Sequence, residues 1–171
     1  MITKPLLNVI LSQYELPWFG IHGISHWARV LENGHRLARL TGAQLEVVEL
    51  FAIFHDACRL NERRDDVHGR RGAELAATLW GEYFTLSETD FELLQTACSY
   101  HTAGLTEADL TIQTCWDADR LDLLRCGIHP DPRYLCTAAA QDLAMLSWAN
   151  GRSSAYYVPS LIQMEWGLEL V

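Results

Sequence analysis

The stretch 50–56, Leu-Phe-Ala-Ile-Phe-His-Asp, decides how this chain folds. Its apolar run predicts a helix segment that is buried on every side, yet the residues that end it, His55 and Asp56, are both ionisable. Burying an imidazole and a carboxylate without partners costs several kcal/mol or forces the carboxylate to become neutral. A metal ion that bound both side chains would remove that cost. The stretch therefore predicts a central helix that carries metal ligands.

The composition fits a single globular domain. The chain has 171 residues, 49% of them apolar, which is enough for a substantial core. Its formal net charge of −9 argues against a nucleic-acid polymer or an anionic membrane as a partner.

The cysteines and the N-terminus predict a cytoplasmic protein. The five cysteines are odd in number and form no Cys-x-x-Cys pair, which is typical of a reducing compartment. Cys98 and Cys115 lie in apolar helical patterns and are expected to be small buried residues. The first residues do not resemble a signal peptide, and no apolar run approaches the ~20 residues of a membrane span.

Helical periodicity dominates the chain, and strand-like alternation is scarce. We predict helices at 3–14, 25–40, 45–58, 68–80, from 87 or 89 to about 100, 111–125, 135–149 and 160–171, with a turn at Asn150-Gly151. The sum is an all-α bundle of about seven helices.

The faces of these helices test whether other ionisable residues point inward. Successive residues are ~100° apart around a helix, so positions i, i+3, i+4 and i+7 share a face. His26 shares its face with Val30 and Leu37, and His55 follows Phe51 by four. Both histidines are therefore expected to point into the core.

Three more residues follow the same pattern. Asp56 stays within the apolar body of its helix. His68 heads the apolar stripe that contains Leu75, and His101 ends the stripe that contains Leu94. All three are therefore expected to be buried.

Periodicity also separates the carboxylates of the segment 116–122. Asp119 lies at the centre of an apolar face, Asp117 points ~160° away from it, and Asp122 lies at the edge of the Asp119 face. Asp119 is thus the carboxylate that most needs a cation. Asp122 and Arg120 are candidates to orient Asp119 without binding the metal themselves.

A lone inward histidine is more often a hydrogen-bonded core residue than a ligand, and an inward aspartate is often paired with arginine. Here one shared explanation covers six inward groups from five helices. Imidazole and carboxylate together suit Mn²⁺, Fe, Ni²⁺ or Zn²⁺. The six are His26, His55, Asp56, His68, His101 and Asp119.

Arginine is concentrated after the His-Asp pair. Five of the twelve arginines fall between residues 59 and 71, and guanidinium groups suit phosphate and carboxylate ligands. The alternative is a solvated loop whose arginines pair with local Asp and Glu.

The order His26, His55-Asp56, Asp119 resembles the HD superfamily of metal-dependent phosphohydrolases. In that family such residues hold one metal in an all-α domain. The stretch 118–121, Ala-Asp-Arg-Leu, matches the residues around the family's last aspartate. The stretch 22–30 has a residue pattern similar to that of small bacterial HD proteins, which include nucleotide pyrophosphohydrolases. The resemblance covers about residues 20–127. It implies a single HD domain over 1–171, with C-terminal helices at 128–171 packed on that core.

The resemblance implies a role for each inward residue. His26, His55, Asp56 and Asp119 would bind one divalent ion, which could be Mn, Fe, Ni, Zn, Co or Mg. His68 and His101 fall where two-metal members place further ligands and one-metal members contact phosphate. Binding of a second ion, bridged by Asp56, therefore stays open as an alternative. The catalytic set would be His55, Asp56, His68 and His101.

The expected reaction is hydrolysis of a phosphate ester or anhydride in a small phosphorylated substrate, a nucleotide among the candidates. Arg59, Arg63 and Arg70 would neutralise phosphate charge, and Glu62 or a free histidine would move protons.

The sequence lacks the signatures of two HD subfamilies and leaves two other functions open. The stretch 100–104 lacks the signature of cyclic-dinucleotide phosphodiesterases, and 57–62 lacks the Glu-Asp of alarmone hydrolases. An HD-fold di-iron oxygenase and a non-catalytic regulatory domain stay open as alternatives, as does a homo-oligomer.

Overall fold

The computed structural model describes residues 2–169, and the ordered elements there are helical. The α-helices are α1 (Lys4–Leu11), α2 (Ile24–Thr41), α3 (Leu45–Phe54), α4 (His68–Leu79), α5 (Glu88–Tyr100), α6 (Leu110–Arg120), α7 (Ala138–Gln141), α8 (Leu143–Ser154) and α9 (Leu161–Met164). Two short 3-10 helices, Leu123–Cys126 and Pro132–Tyr134, lie between α6 and α7. The predicted all-α class is confirmed. None of these helices is long and apolar enough to cross a bilayer.

Helix α3 lies at the centre of the bundle. Its residues 50–54 are fully buried, and α2, α4, α5 and α6 all pack against it. A helix that is apolar all round requires such an enclosure. The predicted central helix is therefore confirmed, although it ends at Phe54 and not at residue 58, with His55 as its C-cap.

Two predicted helices are interrupted. Helix α6 ends at Arg120, and the chain continues as the 3-10 helix Leu123–Cys126, which Gly127 ends with a φ of 75°. The predicted helix 135–149 is wrong because Asp142 starts a new helix there. Its carboxylate accepts hydrogen bonds from the first free N–H groups of α8.

The C-terminal part differs from prediction in two further places. Helix α8 continues to Ser154, so Asn150-Gly151 is helical and the predicted turn is wrong. The predicted helix 160–171 is only the short α9, and the prediction for Leu170 and Val171 falls outside the described residues. With the split at Asp142, the described part has nine α-helices where about seven were expected.

The buried cysteines pack as small apolar side chains. Cys98 and Cys115 are fully buried, as predicted, and all five cysteines are free thiols. Burial raises the pKa of both buried thiols, so they stay protonated in the core.

Helix α4 meets the end of α3 at Gly72. A Cβ atom at this position would lie 2.2 Å from the carbonyl oxygen of Phe54 and 3.4 Å from that of His55. Backbone oxygens cannot move aside as a side chain can, so only glycine permits this approach. The contact brings the N-terminal half of α4 beside the His55-Asp56 pair.

We predict that Gly72→Ala lowers the free energy of unfolding by about 2–3 kcal/mol, because the added methyl group separates α4 from α3. Gly151→Ala is the matched control, since Gly151 is also helical and a methyl group added there would have no neighbour within 4 Å. Alanine should raise stability at that position by about 0.5–1 kcal/mol through helix propensity. Urea unfolding measures both. Equal effects of the two substitutions would contradict the close packing at Gly72.

Candidate metal centre

Six ionisable side chains from five parts of the bundle meet in its interior. They are His26 in α2, His55 and Asp56 after α3, His68 at the start of α4, His101 after α5 and Asp119 in α6. Each residue is 8% exposed or less. The predicted inward positions are confirmed, and the roles of these residues as ligands stay a prediction.

The first half of the cluster surrounds His26. Its Nε2 atom lies 3.0 Å from Nε2 of His55, 3.6 Å from Oδ2 of Asp56 and 3.4 Å from Oδ1 of Asp119. Ligand atoms of His26, His55 and Asp56 all lie within 4.8 Å of one another, close enough to share one metal ion.

The second half shares Asp56 with the first. The other oxygen of this carboxylate, Oδ1, lies 3.0 Å from Nε2 of His68 and 3.7 Å from Nε2 of His101. The two Nε2 atoms are 2.9 Å apart. Asp56, His68 and His101 therefore form a second group that could hold a metal ion.

Gly69 allows the second half to form. A Cβ atom there would lie 2.2 Å from the carbonyl oxygen of Cys98 and 2.8 Å from the ring of His101. Glycine thus lets α4 approach the end of α5 and places His68 against His101.

Hydrogen bonds fix which nitrogen of each imidazole faces the cluster. Nδ1 of His55 bonds the carbonyl of Phe51 at 3.1 Å, and Nδ1 of His101 bonds that of Cys98 at 2.7 Å. A carbonyl oxygen only accepts, so each Nδ1 carries the proton and donates it. In a neutral ring Nε2 then presents a lone pair. Burial lowers the pKa of His55 to about 3, which keeps its ring neutral at pH near 7.

The other two histidines are oriented in the same way. Nδ1 of His68 donates to the carbonyl of Asp65, and Nδ1 of His26 donates to the carboxylate of Asp122 at 2.7 Å. Where all four rings are neutral, four Nε2 lone pairs face one another in two close pairs. Burial lowers the pKa of His101, but Asp56 outweighs burial and raises it, so a proton on its Nε2 is the alternative to a cation there. Lone pairs at such distances repel each other, and a bound cation turns that repulsion into attraction. The donor set fits a divalent metal ion.

Asp119 supplies the second carboxylate of the first half. Its Oδ1 atom is buried and accepts no hydrogen bond from the residues that the structure describes. Asp117 points away, and its carboxylate accepts hydrogen bonds from the backbone of Cys136 and from the N–H and hydroxyl of Thr137. Both carboxylates are buried, but Asp119 faces His26 and His55 and Asp117 does not, so the predicted difference in direction is confirmed.

Asp122 supports His26 and not Asp119. Besides the Nδ1 proton of His26, it accepts two hydrogen bonds from Arg29, at 2.7 and 2.9 Å. Burial raises its pKa, but His26 and Arg29 outweigh burial and bring the pKa down to about 2. Arg29 was missed by the sequence reasoning, although it lies three residues after His26 and so shares its face.

Arg120 does not support Asp119, and that prediction is wrong. It lies one residue further along α6, which turns it ~100° away, and it donates instead to the carbonyls of Tyr134 and Leu105. Arg125 lies near Asp119 in its place, with Nη2 3.7 Å from Oδ1.

The three predicted phosphate-binding arginines are not brought together. Arg59 is buried, with Nη1 3.4 Å from Oδ1 of Asp56 and 3.2 Å from Nε2 of His68. Arg63 is exposed and contributes its backbone carbonyl, which accepts from Arg59. Arg70 lies on the outer face of α4, 76% exposed and paired with Glu74. Only Arg59 reaches the cluster.

Two further groups lie behind the cluster. Nδ1 of His22 lies 2.5 Å from Oε2 of Glu62, so His22 pairs with Glu62. The hydroxyl of Tyr14 is buried without a hydrogen-bond partner among the described residues. Burial raises the pKa of this phenol, and Asp56 raises it further, so the hydroxyl stays protonated. The apolar stripe of α1 indicates that Tyr14 is buried, but nothing in the sequence links it to the cluster.

No family model, curated protein or solved structure matches this chain. The resemblance to the HD superfamily therefore stays a prediction made from the motif residues.

We predict that Asp122→Asn lowers the free energy of unfolding of the metal-free protein by about 3 kcal/mol, because it leaves the buried Arg29 without a counter-charge. The folded pKa of Asp122 lies below its ordinary value of 3.8, so its contribution is full above that pH and is lost as the pH falls to about 2. Urea unfolding at about pH 7 and about pH 3 measures the difference from wild type.

Asp66→Asn is the control, because Asp66 is an exposed carboxylate that pairs with Arg64 on the surface. It should leave stability unchanged at both pH values. If Asp122→Asn also left the free energy of unfolding unchanged, the proposal that the ion pair with Arg29 holds His26 in place would be contradicted.

Proposed function

We propose that this protein is a divalent-metal-dependent phosphohydrolase of the HD superfamily that acts on a small phosphate ester or anhydride. The observation that carries the proposal is the buried cluster in which four imidazole lone pairs and two carboxylates face one another. Neutral imidazole and carboxylate are the ligands that first-row divalent metals prefer.

The first half of the cluster is the better supported metal position. Two nitrogen and two oxygen ligands are available there, from His26, His55, Asp56 and Asp119. The buried Oδ1 atom of Asp119 accepts no hydrogen bond from the described residues, and a bound metal ion would supply the missing partner. In the second half Arg59 already places positive charge beside Asp56 and His68. We therefore propose one resident ion, and a second would require Arg59 to move.

The charges around the cluster favour an anionic substrate. Three buried carboxylates, Asp56, Asp119 and Asp122, are balanced by three buried guanidinium groups, Arg29, Arg59 and Arg125. Any divalent ion then leaves the site with net positive charge. A phosphate monoester dianion matches that charge, and Arg59 and Arg125 are the groups placed to bind its oxygens.

The chemistry that a divalent ion supplies in such a donor set is the activation of water and the polarisation of a phosphoryl oxygen. The chain's own residues orient the reactants. His68 and His101 present Nε2 beside Asp56, where each can accept a proton and, once protonated, donate to a phosphate oxygen. Arg59 neutralises charge that develops on the phosphate.

We predict that protein purified without added metal contains about one divalent ion per chain by elemental analysis. Asp56→Asn should lower that content about tenfold or more, because Asp56 faces both halves of the cluster, whereas the surface variant Asp66→Asn should retain it. Metal retained in Asp56→Asn would contradict the ligand set. Two iron ions with oxygen consumption and no phosphate release would favour the di-iron oxygenase instead.

We predict release of inorganic phosphate from at least one member of a panel of phosphorylated metabolites assayed with Mn²⁺, Co²⁺, Ni²⁺ or Mg²⁺. Arg59→Ala should lower kcat/KM about 100-fold, because it removes a buried charge from the site. Arg64→Ala is the control, since Arg64 is exposed and paired with Asp66 in the same loop. The proposal fails if protein shown to contain metal turns over no member of the panel.

A further inference from the structure

A pocket of about 540 Å³ opens beside the buried His/Asp cluster. Its lining includes Phe19, Ile21, Ser25, Arg29, Tyr156 and Val158. This volume lies within the range of small-molecule sites, which are mostly apolar with a few polar groups. The residues come from the loop before α2, the first turns of α2 and the segment after α8, all outside the ligand set.

Guanidinium groups join this pocket to the cluster. Nε of Arg125 donates to the carbonyl of Ile21 at 2.8 Å, while Nη2 of the same side chain lies 3.7 Å from Oδ1 of Asp119. Arg29 lines the pocket and donates to Asp122. The pocket wall and the cluster are therefore separated by the width of one side chain.

The cluster is most open on the side of Asp119. The side chain of Asp119 is 12% exposed, whereas those of His26, Asp56 and His68 are 3% exposed or less. Arg125 lies against Asp119 on this side. A phosphate that entered here would meet Arg125 and leave its organic group toward the pocket.

Two aromatic rings stand at the pocket. Phe19 is 43% exposed and Tyr156 is 60% exposed. Tyr156 has a φ of 49°, in the left-handed region that residues other than glycine rarely adopt. Its hydroxyl donates to the carbonyl of Arg125 at 3.3 Å and its N–H donates to the carbonyl of Ser153. The hydroxyl and the backbone of Tyr156 are thus both held by hydrogen bonds although the residue is largely exposed, an arrangement that suits ligand contact.

Ser25 adds a polar group to the pocket wall. The residue lines the pocket and is 8% exposed. Its hydroxyl can donate a hydrogen bond to the polar edge of a ligand in the pocket or accept one from it. Unlike the rings, this group can select a ligand that has a hydrogen-bonding edge.

We propose that this pocket binds the planar aromatic group of the substrate, a nucleobase or another aryl group, while the phosphate lies at the metal cluster. Phe19 and Tyr156 contact the ring, and Ser25 bonds a polar atom at its edge. The inference rests on the proposed phosphohydrolase function for the position of the phosphate. If the aromatic group binds in this pocket, the preferred substrates are aryl or nucleoside phosphates and not small alkyl phosphates.

The direct test is the binding of 1-naphthol to the metal-free 171-residue protein, measured by calorimetry. Phe19→Ala should weaken binding about fivefold, because it removes one aromatic contact. Trp18→Ala is the matched control, since Trp18 is the neighbouring residue, is 42% exposed and does not line the pocket. Absence of naphthol binding, or equal weakening by both variants, would overturn the proposal.

A turnover experiment separates this inference from the proposed function. The ratio of kcat/KM for 1-naphthyl phosphate to that for glycerol 2-phosphate should fall about fivefold in Phe19→Ala and stay unchanged in Trp18→Ala. Hydrolysis with an unchanged ratio would overturn the aromatic subsite and leave the phosphohydrolase proposal intact. Naphthol binding that depends on Phe19, without turnover of any phosphate ester, would support the pocket and count against the hydrolase.

Discussion

Four imidazole lone pairs and two carboxylates are held face to face away from water, and the rest of the structure depends on this electrostatic constraint. Each Nδ1 atom donates outward, so no imidazole can turn its proton toward its neighbour without breaking a hydrogen bond. A cation is the simplest way to stabilise that arrangement. Helix ends supply most of the residues of the cluster, which lets the helices themselves stay apolar.

The same constraint organises the outer parts of the chain. Asp122 holds His26 and binds Arg29, and Arg29 also donates to the carbonyl of Tyr157 after α8. Arg125 binds the carbonyl of Ile21 before α2. Two distant segments are therefore fastened to the cluster through guanidinium groups, and those segments also form the walls of the neighbouring pocket. In this way the charges that support the proposed metal ligands also position the proposed substrate site.

Helix periodicity predicted the buried cluster because a regular helix fixes which residues share a face. That geometry distinguished Asp119 from Asp117 and identified the inward histidines. It failed where the helix itself stops. Arg125 follows the break after α6, so extending the helix to residue 125 gave no reason to place it beside Asp119. Arg29 was overlooked because an arginine on an apolar face needs a buried partner, and its partner Asp122 is distant in sequence.

Anomalous X-ray diffraction from crystals of protein purified without added metal would show whether the cluster holds an ion. Data collected on both sides of the absorption edge of the metal identified in the sample locate that element in the structure. We expect an anomalous peak bounded by His26, His55, Asp56 and Asp119, with Nε2 of each histidine toward it. A peak elsewhere on the protein, or histidine rings turned so that Nδ1 faces the cluster, would contradict the proposed metal centre.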